Sequence, residues 1–162
     1  MPLVVNLRHL EAHPVRLKGK LPATELEIDS RDEVIQVVEP LEHDLEVQKF
    51  EGGLLAQGRL HLRLDCECVR CLKRFPYDLE LNEWACHLPL EGEDRVAVNN
   101  DCVDLTPSVR EDILLEFPQH PLCDPGCRGL PKSSIGKQSN TNNTGLNEAG
   151  SSAWAELNKL KL

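Results

Sequence analysis

The chain has 162 residues, a length typical of one domain or of one domain with a tail. It is 40% hydrophobic but only 4% aromatic, which predicts a core of Leu and Val and little aromatic surface on which bases could stack. The net charge is −9, and no apolar run approaches the roughly 20 residues of a membrane span. The composition therefore argues against a membrane span and against a broad grip on nucleic-acid phosphates, which requires clustered Lys and Arg.

The N-terminal sequence MPLVVNLRHLEAHP lacks the charged-then-apolar layout of a secretory signal. We therefore expect a cytoplasmic protein. In that compartment the seven cysteines are expected to be thiols or metal ligands, and their odd number also argues against a complete set of disulfides.

The first half of the chain carries strand patterns. Short β-like runs occupy residues 4–10 and 15–21, and residues 45–50 alternate between apolar and polar side chains. Residues 50–55 supply a Gly-Gly turn before the clearest strand, at residues 58–66. The apolar side chains on one face of that strand are Leu60, Leu62, Leu64 and Cys66.

A second strand, residues 75–81, follows the cysteine-rich segment CVRCLKR, which therefore lies at the tip of an antiparallel hairpin. The apolar phase shifts after this strand and predicts a bulge near residues 82–84. The tip also carries a small basic cluster of Arg70, Lys73 and Arg74, which we interpret as solvated charge.

The best helix signal covers residues 106–117. Thr106 is the candidate N-cap, Pro107 suits the first helical position, and prolines at 118 and 121 end the helix. The predicted apolar stripe consists of Val109, Ile113, Leu114 and Phe117.

Four of the cysteines have metal-ligand spacing. Cys68 and Cys71 are separated by two residues, and Cys123 and Cys127 by three, so the two pairs could complete a closed, structural four-thiolate site for Zn²⁺. The spacing leaves two alternatives open, a thiol redox pair at Cys68 and Cys71 and plain buried thiols. A redox enzyme would need one of those two thiols exposed, with a lowered pKa.

The other three cysteines, Cys66, Cys86 and Cys102, are interpreted as small buried hydrophobic residues. Catalytic signals are weak, since the sequence has no phosphate-binding glycine loop or nucleotide fingerprint and its six histidines form no recognisable pair. We therefore predict that the protein is not an enzyme.

Residues 131–152 are rich in Ser, Asn and Gly and are interpreted as a flexible linker. Residues 153–162 follow as a predicted C-terminal helix, with Trp154, Leu157 and Leu160 at helical spacing. These side chains are expected to dock on the rest of the protein, and the alternative is that they bind a partner. Residues 1–130 are then one β-rich domain.

Charge is unevenly distributed. Residues 21–60 hold ten acidic and three basic groups, and residues 61–131 hold fourteen acidic and seven basic groups, whereas residues 1–20 and the tail are net positive. An acidic body attracts a basic protein more readily than RNA.

Four segments together resemble the YceD family, the large ribosomal RNA subunit accumulation proteins. They are LDCECVRCLKRF at 64–75, DLTPSVREDILLEFPQHPLC at 104–123, CRGL at 127–130 and WAELNKLKL at 154–162. The resemblance implies a role in the synthesis, processing or stability of large-subunit rRNA, without an established catalytic activity. Many members continue after the Gly-Leu with further cysteines, whereas Pro131 follows Leu130 here and the linker holds no cysteine.

We therefore expect an α+β protein, mainly antiparallel sheet that can curl into a partial barrel, with one packed helix and a C-terminal helix. The expected function is a non-enzymatic ribosome-biogenesis factor whose acidic surface binds a basic ribosomal protein or the pre-ribosomal large subunit. Direct rRNA contact is left open. The alternative is a zinc-binding adaptor or a thiol redox protein that uses Cys68 and Cys71.

Overall fold

The computed structural model of the protein describes residues 3–28 and 33–130. The elements are β1 (Val4–Asn6), a 3-10 turn (His9–Glu11), β2 (Val15–Leu21), β3 (Ile35–Val37), β4 (Leu41–Phe50), β5 (Gly53–Glu67), β6 (Arg74–Pro89), β7 (Val98–Asn99), β8 (Cys102–Asp104) and α1 (Thr106–Leu115). The expected class, α+β with mainly antiparallel sheet, is confirmed.

The main sheet is organised around β5. One edge of β5 pairs antiparallel with β6 along almost its whole length. The other edge pairs first with β4 and then with β3, and β2 lies on the far side of β4. The sheet curls into a half-barrel, as the partial-barrel prediction anticipated.

The turn between β4 and β5 has Glu51 and Gly52 as its central residues, both with positive φ (39° and 74°). Two positive φ values match the twist of a tight β-hairpin. The turn lies within the predicted segment, residues 50–55, with Gly52 at its centre, and Gly53 already begins β5. A side chain at position 53 would approach the carbonyl oxygen of Leu88, which explains a second glycine there.

The predicted bulge is present. Gly58 lies opposite Trp84, and Leu60 lies opposite Leu81, so β6 has two residues where β5 has only Arg59. An extra residue changes the face to which the following side chains point. Trp84 is consequently buried, and its indole N–H donates to a carboxylate oxygen of Asp112 in α1 at 2.7 Å.

The core lies on one face of the curled sheet, where the predicted apolar side chains of β5 are fully buried. Val109 and Ile113 of α1 pack on this core. The largest fully buried residues are Leu21, Leu26, Leu41, Leu45, Leu54, Leu60, Leu62, Leu64, Leu105, Ile113, Val5 and Val47.

Helix α1 is shorter than predicted and begins with Thr106 as its first helical residue, so Thr106 is not the N-cap. The Asp104 carboxylate instead accepts a hydrogen bond from the Thr106 N–H at 2.9 Å. The Thr106 hydroxyl accepts one from the Leu3 N–H at 3.0 Å and ties the chain start to the helix. Leu114, predicted in the apolar stripe, is 40% exposed.

A second, three-stranded sheet has the order β1-β8-β7. Its strand β1 ends at Asn6, well short of the predicted strand over residues 4–10, because the chain enters the 3-10 turn.

The predicted linker, residues 131–152, and the predicted C-terminal helix, residues 153–162, lie outside the described residues, as do Trp154, Leu157 and Leu160. Among the described residues, no helix is both long and apolar enough to cross a bilayer.

Candidate metal centre

The loop between β5 and β6 presents Cys68 and Cys71. The Cys68 N–H donates to the Lys73 carbonyl at 2.9 Å, and the Leu72 N–H donates to the Cys68 carbonyl at 2.8 Å. Leu72 adopts a left-handed conformation with φ 61°, which non-glycine residues rarely do. These bonds fold the loop back on itself, so that its two sulfurs face the same side.

The second loop follows α1 and presents Cys123 and Cys127. The Asp124 carboxylate accepts a hydrogen bond from the Gly126 N–H at 2.7 Å, and the Asp124 carbonyl accepts one from the Cys127 N–H at 3.0 Å. An Asp side chain that bonds the backbone two residues later is a common turn former. The turn directs both cysteines of this loop towards the hairpin tip.

Two hydrogen bonds join the loops directly. The Val69 N–H donates to the Pro121 carbonyl at 3.0 Å, and the Arg70 guanidinium donates to the Cys127 carbonyl at 2.9 Å. Arg70 is exposed, as expected for solvated charge, and this bond is an additional contact that the sequence did not predict. Arg74 is also engaged, with the Asp65 carboxylate at 3.2 Å and the Glu33 carbonyl at 3.1 Å.

The four sulfur atoms form one group, which we call the thiol cluster: Cys68, Cys71, Cys123 and Cys127. All of them lie within 4.8 Å of one another. The Cys68 and Cys127 sulfurs are 3.8 Å apart, and those of Cys71 and Cys123 are 3.6 Å apart. A tetrahedral Zn²⁺ with Zn–S bonds of about 2.3 Å separates its sulfurs by about 3.8 Å, so the cluster has the size that zinc requires.

The backbone around the cluster favours a thiolate. The N–H groups of Cys123 and Cys71 point at the Cys68 sulfur and lower the pKa of that thiol to about 6. The pKa of the Cys123 thiol is instead raised to about 12. The largest cause is the hydrogen bond that this thiol shares with Cys71. Four thiolates at this spacing repel one another strongly, so the fully ionised cluster needs a cation at its centre.

The cluster is closed by protein ligands alone. Four sulfurs fill a tetrahedron and leave no position for water or substrate, which is typical of a structural rather than a catalytic site. Cys68 is buried and Cys123 is exposed, so the cluster lies at the surface, where the two loops meet.

The remaining cysteines do not join the cluster. Cys66 is buried in the core, as predicted. Cys86 and Cys102 are only half-buried, so the prediction of buried hydrophobic residues is wrong for them. Burial, together with the nearby Asp112 carboxylate, raises the pKa of the Cys86 thiol, which argues against reactivity there.

Fold and site together define a small β-rich protein whose long hairpin carries four clustered thiols at its tip. A family model described as "Large ribosomal RNA subunit accumulation protein YceD" matches residues 56–161, well over half of the chain. The chain belongs to the YceD family, and the resemblance stated from the motifs is confirmed. Neither the curated proteins nor the solved structures contain a significant match.

The family match covers the hairpin from Ala56 onward, helix α1 and all four cysteines of the thiol cluster. Its description associates the chain with the accumulation of the large ribosomal RNA subunit. Strands β1 to β4 precede the match.

Proposed function

We propose that the protein is a non-enzymatic ribosome-biogenesis factor in the cytoplasm, which supports the synthesis, processing or stability of large-subunit rRNA. Its thiol cluster holds one structural Zn²⁺, and its acidic surface binds a basic ribosomal protein. The family match over the hairpin, the helix and the cluster is the observation on which this proposal rests.

The zinc part of the proposal is supported by the donor set. Four cysteine sulfurs at tetrahedral spacing, with backbone N–H groups directed at one of them, suit Zn²⁺ better than hard cations such as Mg²⁺, which prefer oxygen. The ion would join two loops that only a few hydrogen bonds hold together. A structural ion of this kind contributes directly to local folding.

A protein partner is favoured over naked RNA by the charge pattern of the main sheet. Its solvent face has basic side chains on β2 and acidic side chains on β4, in matched pairs. Arg16 contacts Asp44 at 2.6 Å, and Lys20 contacts Glu42 at 2.5 Å. The basic side chains of β2, Arg16, Lys18 and Lys20, are thus each paired with an acid of β4, whereas a phosphate-binding face needs clustered cations that are free for phosphates.

The proposal is tested by deleting the gene and measuring the ratio of large- to small-subunit rRNA, with complementation by wild-type protein and by C68S/C127S. Loss of the protein should lower the ratio, and wild-type protein should restore it. The double variant should restore it less well than C86S/C102S, the matched control outside the cluster. An unchanged rRNA ratio after deletion would contradict the assignment to large-subunit biogenesis.

Metal analysis of freshly purified protein tests the cofactor separately. We expect one zinc per chain in wild-type protein and in C86S/C102S, and none in C68S/C127S. A wild-type protein without bound metal, prepared without chelator or oxidation, would remove the zinc from the proposal and leave the role in rRNA accumulation standing.

The redox alternative has one favourable observation, the lowered pKa of Cys68. Its sulfur is buried, however, and a redox thiol must be reached by its substrate. Alkylation with iodoacetamide separates the two functions. Zinc-bound thiols should resist alkylation until a chelator is added, whereas a redox pair would react at once near pH 7.

A further inference from the structure

Helix α1 and the bulge of β6 border a cleft of about 430 Å³. Four carboxylates line it, Glu80 and Glu83 from the strand and Asp112 and Glu116 from the helix end. Leu81, Trp84 and Leu115 supply its apolar surface. We call this feature the acidic cleft.

The carboxylates of the acidic cleft differ from those of the sheet face. On the sheet face Asp44 contacts both Arg16 and Lys18. Within the described part of the chain, no Lys, Arg or His side chain forms an ion pair with any of the four carboxylates of the cleft. The Asp112 carboxylate accepts a hydrogen bond from the neutral Trp84 indole N–H at 2.7 Å, and the Glu80 carboxylate accepts one from the Asn82 amide at 3.5 Å. The cleft therefore keeps an uncompensated negative charge.

The same cleft has an apolar edge. Leu115, the last residue of α1, is 74% exposed and lies beside the carboxylates. Its neighbour Leu114 is 40% exposed, so two adjacent leucines at the end of α1 lie outside the buried face formed by Val109 and Ile113. An exposed leucine alone is ordinary, but a leucine edge along a charged cleft offers both contacts that a protein segment can use.

We propose that the acidic cleft is the docking surface for a basic, amphipathic segment of a protein partner. Lys or Arg side chains of the segment would pair with the four carboxylates, and one of its apolar side chains would cover Leu115 and the edge of Trp84. Uncompensated charge steers a partner of opposite sign and selects against nucleic acid, whose phosphates the cleft repels. This inference rests on the proposed function and assigns a location to its protein contact.

The test uses full-length protein and purified basic ribosomal proteins of the large subunit, presented one at a time at physiological salt. The cleft variant is E83K/E116K. The matched control is E91K/E93K, which makes the same charge change on an exposed connector outside the cleft. For a partner that wild-type protein binds, we expect the cleft variant to weaken binding about tenfold or more and the control to weaken it less than about threefold.

A second variant, L115S, removes the apolar edge without changing charge. We expect several-fold weaker binding with a largely unchanged association rate, because apolar contacts act mainly on dissociation. Melting temperatures close to wild type verify that all three variants fold, as exposed positions allow. If L115S binds the partner as tightly as wild-type protein does, the proposed apolar contact with Leu115 is not made.

Three outcomes overturn the inference in distinguishable ways. If wild-type protein binds none of the ribosomal proteins, the partner in the proposed function is wrong as well. If E83K/E116K and E91K/E93K weaken binding equally, the net acidity of the protein is responsible, and the proposed function survives without the cleft. If deletion of residues 153–162 strengthens partner binding about tenfold in wild-type protein but not in E83K/E116K, the C-terminal sequence of the chain itself occupies the cleft.

Discussion

The body of the sheet and the cysteine end are stabilised by different forces. The body buries leucines of β4 and β5 completely, as at Leu45 and Leu62. The cysteine end, which comprises residues 68–73 and 121–130, exposes about half of Val69, Leu72 and Leu130. Hydrophobic burial therefore accounts for the stability of the body. At the cysteine end, the two loops meet through the four clustered sulfurs and through the hydrogen bonds from Val69 to Pro121 and from Arg70 to Cys127.

Removal of a thiol from the thiol cluster should have the largest effect on local stability, and this effect should be confined to the cysteine end. In Cys68→Ser we expect loss of the proposed zinc, because the substitution removes one of the four thiolates that would hold the ion. Hydrogen exchange of the Val69 and Cys127 amides, which donate across and within the loops, should become much faster. Amides of β5 should remain protected.

Cys86→Ser is the control for that comparison, since Cys86 lies outside the cluster. It should keep its zinc and its exchange pattern. Stoichiometric zinc in Cys68→Ser, or equal acceleration in β5, would contradict the separation between the end and the body.

A core truncation should have the converse effect. Leu62 is fully buried, so Leu62→Ala should lower the free energy of unfolding by about 2–5 kcal/mol, from lost burial and the cavity that remains. Urea denaturation measures this loss, and zinc content should not change. Val69→Ala, which truncates a half-exposed side chain at the cysteine end, should change the free energy by only about 0.5 kcal/mol or less.

Backbone strain at the tip predicts a smaller, opposite effect. Leu72 is exposed and has φ 61°, a conformation that costs L-residues about 1–2 kcal/mol and glycine little. Leu72→Gly should therefore hold zinc more firmly, which a slower transfer of zinc to a chelator would show. Faster transfer would mean that the leucine side chain makes a contact worth more than the strain.

The smallest effect concerns pH and belongs to the body. The Arg16 guanidinium beside Asp44 lowers the pKa of that carboxyl from 3.8 to about 2. A lowered pKa in the folded state means that the contribution is complete above about pH 4 and is lost as the pH falls towards 2. The melting temperature of wild-type protein should exceed that of Arg16→Ala at pH 6, and the difference should shrink between pH 4 and pH 2 and vanish below pH 2, where the Asp44 carboxyl is protonated in the folded state as well.

Local patterns in the sequence determined much of the fold. The alternation of Leu60, Leu62 and Leu64 correctly predicted the buried face of β5, because side chains of a strand alternate between its faces. The phase shift after residue 81 located the bulge, and Pro107 with the apolar stripe located α1 to within two residues. Cysteine spacing identified the two pairs whose sulfurs form the thiol cluster. Each of these signals depends on residues that are close in the chain.

Only the tertiary structure decided which distant segments meet. Cys71 and Cys123 are separated by 51 residues, and their sulfurs come within 3.6 Å because the β5–β6 hairpin and the exit of α1 reach the same point. The half-burial of Cys86, the bond from Arg70 to Cys127 and the unpaired carboxylates of the acidic cleft depend on the same long-range packing. Periodicity specifies which face of an element is apolar, but the partner of that face is fixed by how whole elements pack together.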